Sequence, residues 1–244
     1  MSTYDAAAEI RKVDSDRATA WLGEGWRVFA ATPGVWIAIS VVLIVIHLLL
    51  AVIPGIGQVA SAVLTPILTA GLMECCRIAI AGETLEFSQM FAGFKRNTGN
   101  LVVVGLLTLV AFALISVAAF AVMAIVGGAS LLTAVQSGSF ADINFAAAAG
   151  GIMLALLLWL LLALPVTMGI WFAPALVMFD NLKPIEAMKA SFHAGMKNWL
   201  VLSLYGLVWL VLALIAAIPG FLGFILLVPV TAISIYISYR EIFH

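Results

Sequence analysis

His47 stands alone in an apolar run, VVLIVIHLLL. An ionisable side chain at membrane depth is a functional candidate by default, and an imidazole there suits proton relay, quinone hydrogen bonding or metal ligation. The competing reading is a neutral histidine that donates to a hydroxyl or freed carbonyl on a neighbouring helix. No second His or acid lies at similar depth, so His47 is the sole cofactor-binding candidate and the structural reading is favoured. Glu74 and Arg77 sit three residues apart where a second apolar run ends. That spacing lets them pair on one helix face, or meet a headgroup or a partner. Lys95, Arg96, Lys189 and Lys197 carry charge that attracts anionic headgroups, each by about 1 kcal/mol near a membrane surface.

The other chemistries lack their residues. Cys75 and Cys76 are adjacent, which disfavours a mutual bridge, and two thiols supply too few ligands for a structural metal; free cysteines of this kind are usually small buried residues. There is no P-loop, G-x-S-x-G or H-E-x-x-H, and no intramembrane carboxylate pair for acid–base work. A haem would need a second axial ligand beside His47. The expectation is a protein without enzymatic activity, cofactor, metal or nucleic-acid partner.

The elements that must position these residues are membrane helices. Of 244 residues, 65% are hydrophobic and only 9% charged, whereas soluble domains are about half apolar and a quarter charged. Mean hydropathy is +1.21. Apolar runs long enough to cross a hydrocarbon core of about 30 Å fall near 34–53, 57–80, 101–127, 149–179, 199–218 and 221–239. Stretches such as LALLLWLLLAL are apolar all round, which excludes the alternation of barrel strands. The opening thirty residues are polar and charged, unlike a cleaved signal, so the first span is expected to be retained.

All eleven Lys and Arg lie in the N-terminal segment, around 77–96, around 183–197 and at Arg240. With six spans these places share one face, and the positive-inside rule puts that face and both termini in the cytoplasm. Trp21, Trp26, Trp36, Trp171 and Trp199 fall near the same boundary, where indoles anchor helices.

The segment TPILTAGLMECCR aligns with VPVTAISIYISYR: Pro66 meets Pro229 and Arg77 meets Arg240. LPVTMGIWFAPALV joins through Pro165 without the Arg. Each proline sits inside an even-numbered span, removes one hydrogen bond and strands the carbonyl four residues back, here Ala62, Leu161 and Ile225. Thr69, Thr167 and Thr231 lie close enough to compensate. The prolines are therefore expected to act as structural helix kinks. A short amphipathic segment precedes each odd span: Ala18, Trp21, Leu22, Gly25 and Phe29; Phe87, Met90, Phe91 and Phe94; and Ile185, Met188, Phe192 and Met196. Each reads as an interfacial helix. The fold expected is all-α and integral to the membrane: six transmembrane helices in one membrane domain, as three pseudo-repeats of interfacial helix plus hairpin. Their bounds are about 14–81, 84–180 and 184–243, after a polar N-terminal tail, 1–13. The middle repeat carries a long outer loop, 128–148.

The segments GWRVFAATPGVW, FAGFKRNTGNL, TAGLMECCR, WFAPALVMFDNLKPIEAMKASFHAGMKNWL and ISYREIF give the chain a resemblance over nearly its whole length. It resembles uncharacterised bacterial inner-membrane proteins similar to the YciC-like proteins and to the membrane domain that accompanies some glycerophosphodiester phosphodiesterases. The most specific part is carried by Pro174, Pro184, Glu186, Ala187, Met188, Lys189, Ser191, Phe192 and Asn198. The resemblance implies six membrane helices and the bacterial inner membrane. It brings no activity, because the phosphodiesterase catalytic domain has no counterpart here. The leading expectation is an accessory or interaction component that contacts membrane lipids or a larger membrane complex. The alternative is a small-molecule or lipid carrier, with the kinked helices around a central cavity. A redox subunit would rest on His47 alone.

Overall fold

The computed structural model describes residues 10–138 and 145–244, and among these every regular element is helical. The α-helices run α1 Arg17–Ala31, α2 Pro33–Ala51, α3 Ile56–Ile80, α4 Thr98–Ser137, α5 Phe145–Trp171, α6 Ala173–Phe179, α7 Pro184–Lys197, α8 Trp199–Ala217 and α9 Phe224–Phe243. A 3₁₀ helix, Phe87–Phe94, lies between α3 and α4. Pro33 and Pro184 open α2 and α7 in the first turn, where a missing N–H costs nothing and φ is already helical. The 3₁₀ helix starts on a reciprocal capping box between Glu86 and Gln89.

Six segments are long and apolar enough to cross a membrane: Pro33–Ala51, Ile56–Ile80, Thr98–Gly128, Ala149–Phe179, Trp199–Ala217 and Phe224–Phe243. They fall where the apolar runs place them. The connection 128–148 lies between the candidate spans, which end at Gly128 and resume at Ala149, but much of it is helix and not loop: α4 continues to Ser137 and α5 starts at Phe145. Alanine-rich sequence propagates helix better than it forms loop. Residues 139–144, with Asp142, lie outside the described residues, as do residues 1–9 of the N-terminal tail.

The chain forms two compact units, Met1–Leu106 with Met168–His244, and Leu107–Thr167. No linker marks the division, since it falls inside α4 and α5. In the second unit, Phe112 stacks on Trp159 with ring centroids 5.8 Å apart, and the Trp159 indole donates to Ser116 Oγ at 3.3 Å.

In the first unit, α3 and α9 are the inner helices. Buried positions make up 50% and 56% of their spans, against 11–22% for the other four. Ala70, Met73, Cys75 and Cys76 of α3 and Ile233, Tyr239 and Ile242 of α9 belong to one continuous core. Both cysteines are free thiols. The buried face of α1 is Ala18, Trp21, Leu22, Gly25 and Phe29, the set its helical spacing singles out. Trp21 and Trp36 are core residues with no exposed surface, so they do not belong to an interfacial belt; only Trp26, Trp171 and Trp199 are exposed. The Trp36 indole N–H has no hydrogen-bond partner among the described residues.

Helix α7 packs through its small residues and turns its apolar stripe outward. Its buried face is small (Ala187, Ala190, Ser191, Ala194 and Gly195), while Ile185 and Met196 are 57% and 54% exposed. Small residues permit close packing, and the large apolar stripe is left for the surroundings. The fourth span, read as one run, breaks at Phe172 between α5 and α6 because Pro174 cannot donate to the carbonyl four residues back. Ser191 closes the break: its hydroxyl donates to Met168 O at 2.6 Å and accepts from the Phe172 N–H at 3.0 Å. Replacing Ser191 with alanine strands both groups in a buried site and is expected to cost about 1–3 kcal/mol. Chemical denaturation in detergent checks this, and an unchanged midpoint would mean the break holds without the staple.

Helices α3, α5 and α9 run through Pro66, Pro165 and Pro229 without interruption. Thr167 does not serve the freed Leu161 carbonyl. Thr167 donates to Leu164 O and Thr231 accepts from the Trp209 indole. The Ala62 carbonyl freed by Pro66 instead abuts Gly105 of α4, so closely that a Cβ at Gly105 would overlap it.

Candidate functional site

Two clefts in the first unit bring polar groups together. One is a lateral groove of about 500 Å³ at membrane depth, lined by His47 with Leu43 and Ala51 of α2, Thr65, Thr69 and Leu72 of α3, and Val228 of α9, among others. His47 Nδ1 lies 2.8 Å from Leu43 O. A carbonyl only accepts, so Nδ1 carries the proton and the ring is tied to its own helix. Nε2, which only accepts in that tautomer, lies 3.3 Å from Thr65 Oγ1, and the single hydroxyl proton of Thr65 goes either to it or to Ser61 O at 2.7 Å. The imidazole is thus held without a ligand, with Nε2 on the groove. Among the described residues, no three His, Cys, Asp or Glu side chains come together as a metal site.

The second cleft, of about 570 Å³, lies where α3 and α9 end. Its walls come from four segments: Arg11 from the residues before α1, Glu24, Arg27 and Val28 from α1, Ile80 from the end of α3, and Ile237, Arg240, Glu241 and His244 from the C-terminus. The acids are already occupied. Arg17 pairs with Glu24 at 2.9 Å and forms a bidentate pair with Glu241. The Trp21 indole donates to Glu241 Oε2 at 2.8 Å. Hydrogen bonding to Glu241, opposed by partial burial and aided by Glu24, raises the Arg17 guanidinium above its ordinary pKa, so it is charged at any working pH.

Arg11 reaches the cleft because residues 10–13 dock on the bundle. Arg11 N–H donates to Ile242 O at 2.8 Å. Buried Asn198 accepts from Val13 N–H at 2.8 Å and donates to Arg11 O at 2.9 Å, and Lys197 Nζ donates to Ile10 O at 2.5 Å. Bordering the cleft, the Tyr239 hydroxyl donates to Asp180 Oδ2 at 2.5 Å and lies 3.0 Å from His244 Nε2.

A protein of Burkholderia thailandensis named as a probable inner membrane protein is 27% identical over 209 residues, covering 84% of this chain and 77% of its own. No known family profile matches the chain, and no solved structure is similar to it. Six apolar helices and this relative together support a multi-pass inner-membrane protein. At that level of identity the relative brings no activity.

The residues singled out from sequence are dispersed. Glu74 and Arg77 do pair, with two contacts of 2.9 and 3.0 Å, and Glu83 joins at 3.7 Å. Lys95, Arg96 and Lys189 are exposed, and Lys197 is engaged by the N-terminal segment. None of these residues, and none of Pro66, Pro165 and Pro229, lines either cleft. His47 alone does. Arg11, Arg27 and Arg240 went unmarked because no local pattern joins them; the one signal was the alignment of Arg240 with Arg77.

Proposed function

We propose that this chain is a non-enzymatic accessory protein of the bacterial inner membrane, with both termini cytoplasmic, that works by contact with lipid and with a larger membrane complex. The observation that carries this reading is the close packing of α3 and α9, with Tyr239, Ile233, Cys75 and Cys76 filling the space a transport path would need. Four other spans keep most of their apolar surface outward, and lipid or a partner must cover it. The exposed stripe of α7 suits a helix lying in the interface. The order of short helix then hairpin, three times along the chain, supports the three pseudo-repeats and the kinship with YciC-like proteins.

A second reading, a lipid or small-molecule carrier, is favoured by the lateral groove beside His47.

Native mass spectrometry on protein extracted gently from its own membranes separates the two. A stoichiometric protein partner or a set of retained phospholipids is the expected result. One retained small molecule, lost in His47→Ala, would replace this reading with the carrier.

A further inference from the structure

The C-terminal ends of α3 and α9 attract cations for a simple reason: the last carbonyls leave partial negative charge there. That accounts for Arg240. It does not account for Arg11 and Arg27, which arrive from a docked N-terminal segment and from α1 to line the same cleft. All three side chains are exposed, and none forms an ion pair among the described residues. The two glutamates in the cleft do not serve them, because Arg17 holds both. Three guanidinium groups therefore line one cleft without an ion pair, and with Arg17 they outnumber its two carboxylates four to two, beside an apolar lining of Val28, Ile80 and Ile237.

We infer that this cleft binds the phosphate of an anionic phospholipid. Guanidinium groups match phosphate oxygens in geometry as well as charge, and three from separate segments can surround one phosphodiester. The apolar floor decides between the two sources of that chemistry. Free phosphate would leave Val28, Ile80 and Ile237 uncovered, whereas a glycerophospholipid lays its glycerol and first methylenes on them. The position agrees: Ile80 ends one candidate membrane span and Arg240 lies three residues before the end of another, where a headgroup would be met. The inference rests on the lipid-contact part of the proposed function and names the site through which that contact is made.

The test uses the full chain, delipidated in detergent, with phosphatidylglycerol added and the first bound lipid measured by native mass spectrometry. Arg11→Gln/Arg27→Gln/Arg240→Gln is expected to weaken that first binding event at least tenfold. Lys183→Gln, which alters an exposed cation outside the cleft, should leave it within twofold. The single change Arg27→Gln, at an exposed and unpaired side chain, gives a several-fold loss even if the triple variant folds poorly, and Arg27→Lys restores part of it. Inorganic phosphate should compete only weakly. Full displacement by millimolar phosphate would make the site one for the free anion and overturn the lipid assignment. Unchanged binding in Arg27→Gln and the triple variant would overturn the site while leaving lipid contact elsewhere intact. Failure of the wild-type chain to bind any phospholipid would overturn the lipid-contact reading itself.

Discussion

Replacing Gly71 or Gly93 with alanine is expected to destabilise the protein by about 2 kcal/mol or more, at the upper part of the range for overpacked sites. Helix α3 and the 3₁₀ helix Phe87–Phe94 approach each other through both glycines at once. A Cβ on Gly71 would overlap the Met90 carbonyl oxygen, and a Cβ on Gly93 would overlap that of Ile67. Because the obstacle is backbone in each case, relief requires one helix to move away from the other rather than a side chain to change rotamer. Such a shift would also disturb Met90 and Ile67, both of which belong to the core. Alanine gains up to about 1 kcal/mol in helix propensity, which is too little to offset the overlap at Gly71. Gly206→Ala in α8 is the control, since a Cβ there meets nothing within 4 Å, and it should be neutral or mildly stabilising. Denaturant midpoints in one detergent decide the matter. Equal midpoints for Gly71→Ala and Gly206→Ala would show that the interlock is looser than its geometry.

The parts of this structure that could be read from sequence are those written in local periodicity. The spans follow from runs of apolar residues, and the inner face of α1 follows from Ala18, Trp21, Leu22, Gly25 and Phe29 at helical spacing. Membrane helices weaken the same logic, because lipid and core are equally apolar and hydrophobicity no longer tells inside from outside. Helices α1 and α7 show this: both carry an apolar stripe at helical spacing, yet α1 buries its large residues while α7 buries its alanines and leaves Ile185 and Met196 outward. Trp36 shows it again, since an indole at a span terminus fits a lipid belt or a core equally well. The cleft was illegible for a different reason. Arg11 and Arg27 lie at the opposite end of the chain from Arg240, and their meeting in one cleft depends on how α1 and the N-terminal segment dock against α9. The segment from Pro174 to Asn198 gains a physical account from the structure. Pro174 breaks the fourth span, Ser191 staples that break, Pro184 starts α7, and Asn198 anchors residues 11–13.

Asn198 carries the second large effect. Its amide holds two backbone groups of a segment that has no helical hydrogen bonds of its own: the Val13 N–H and the Arg11 carbonyl. It also donates to Ala194 O, at 3.2 Å, and so closes the end of α7. Asn198 is only 2% exposed, so alanine there leaves unpaired groups beside a space too enclosed for easy rehydration. The expected cost is about 2 kcal/mol, within the range for stranding buried partners. Much of it should appear as local release of residues 10–13 rather than global unfolding, because only the Arg11 N–H to Ile242 bond and the Lys197 contact to Ile10 would remain. Hydrogen exchange at the Val13 amide should accelerate well beyond that of the α9 amides. If Val13 exchanges no faster in Asn198→Ala than in the wild type, packing of Ile10 alone suffices to hold the segment. Release has a consequence for the arginine cleft as well, since it withdraws Arg11 and leaves Arg27 and Arg240. Affinity for the first phosphatidylglycerol should then fall several-fold, less than in the triple arginine variant. A distant asparagine that lowers lipid affinity through the docking of Arg11 would tie the N-terminal segment, α7 and the cleft into one working unit.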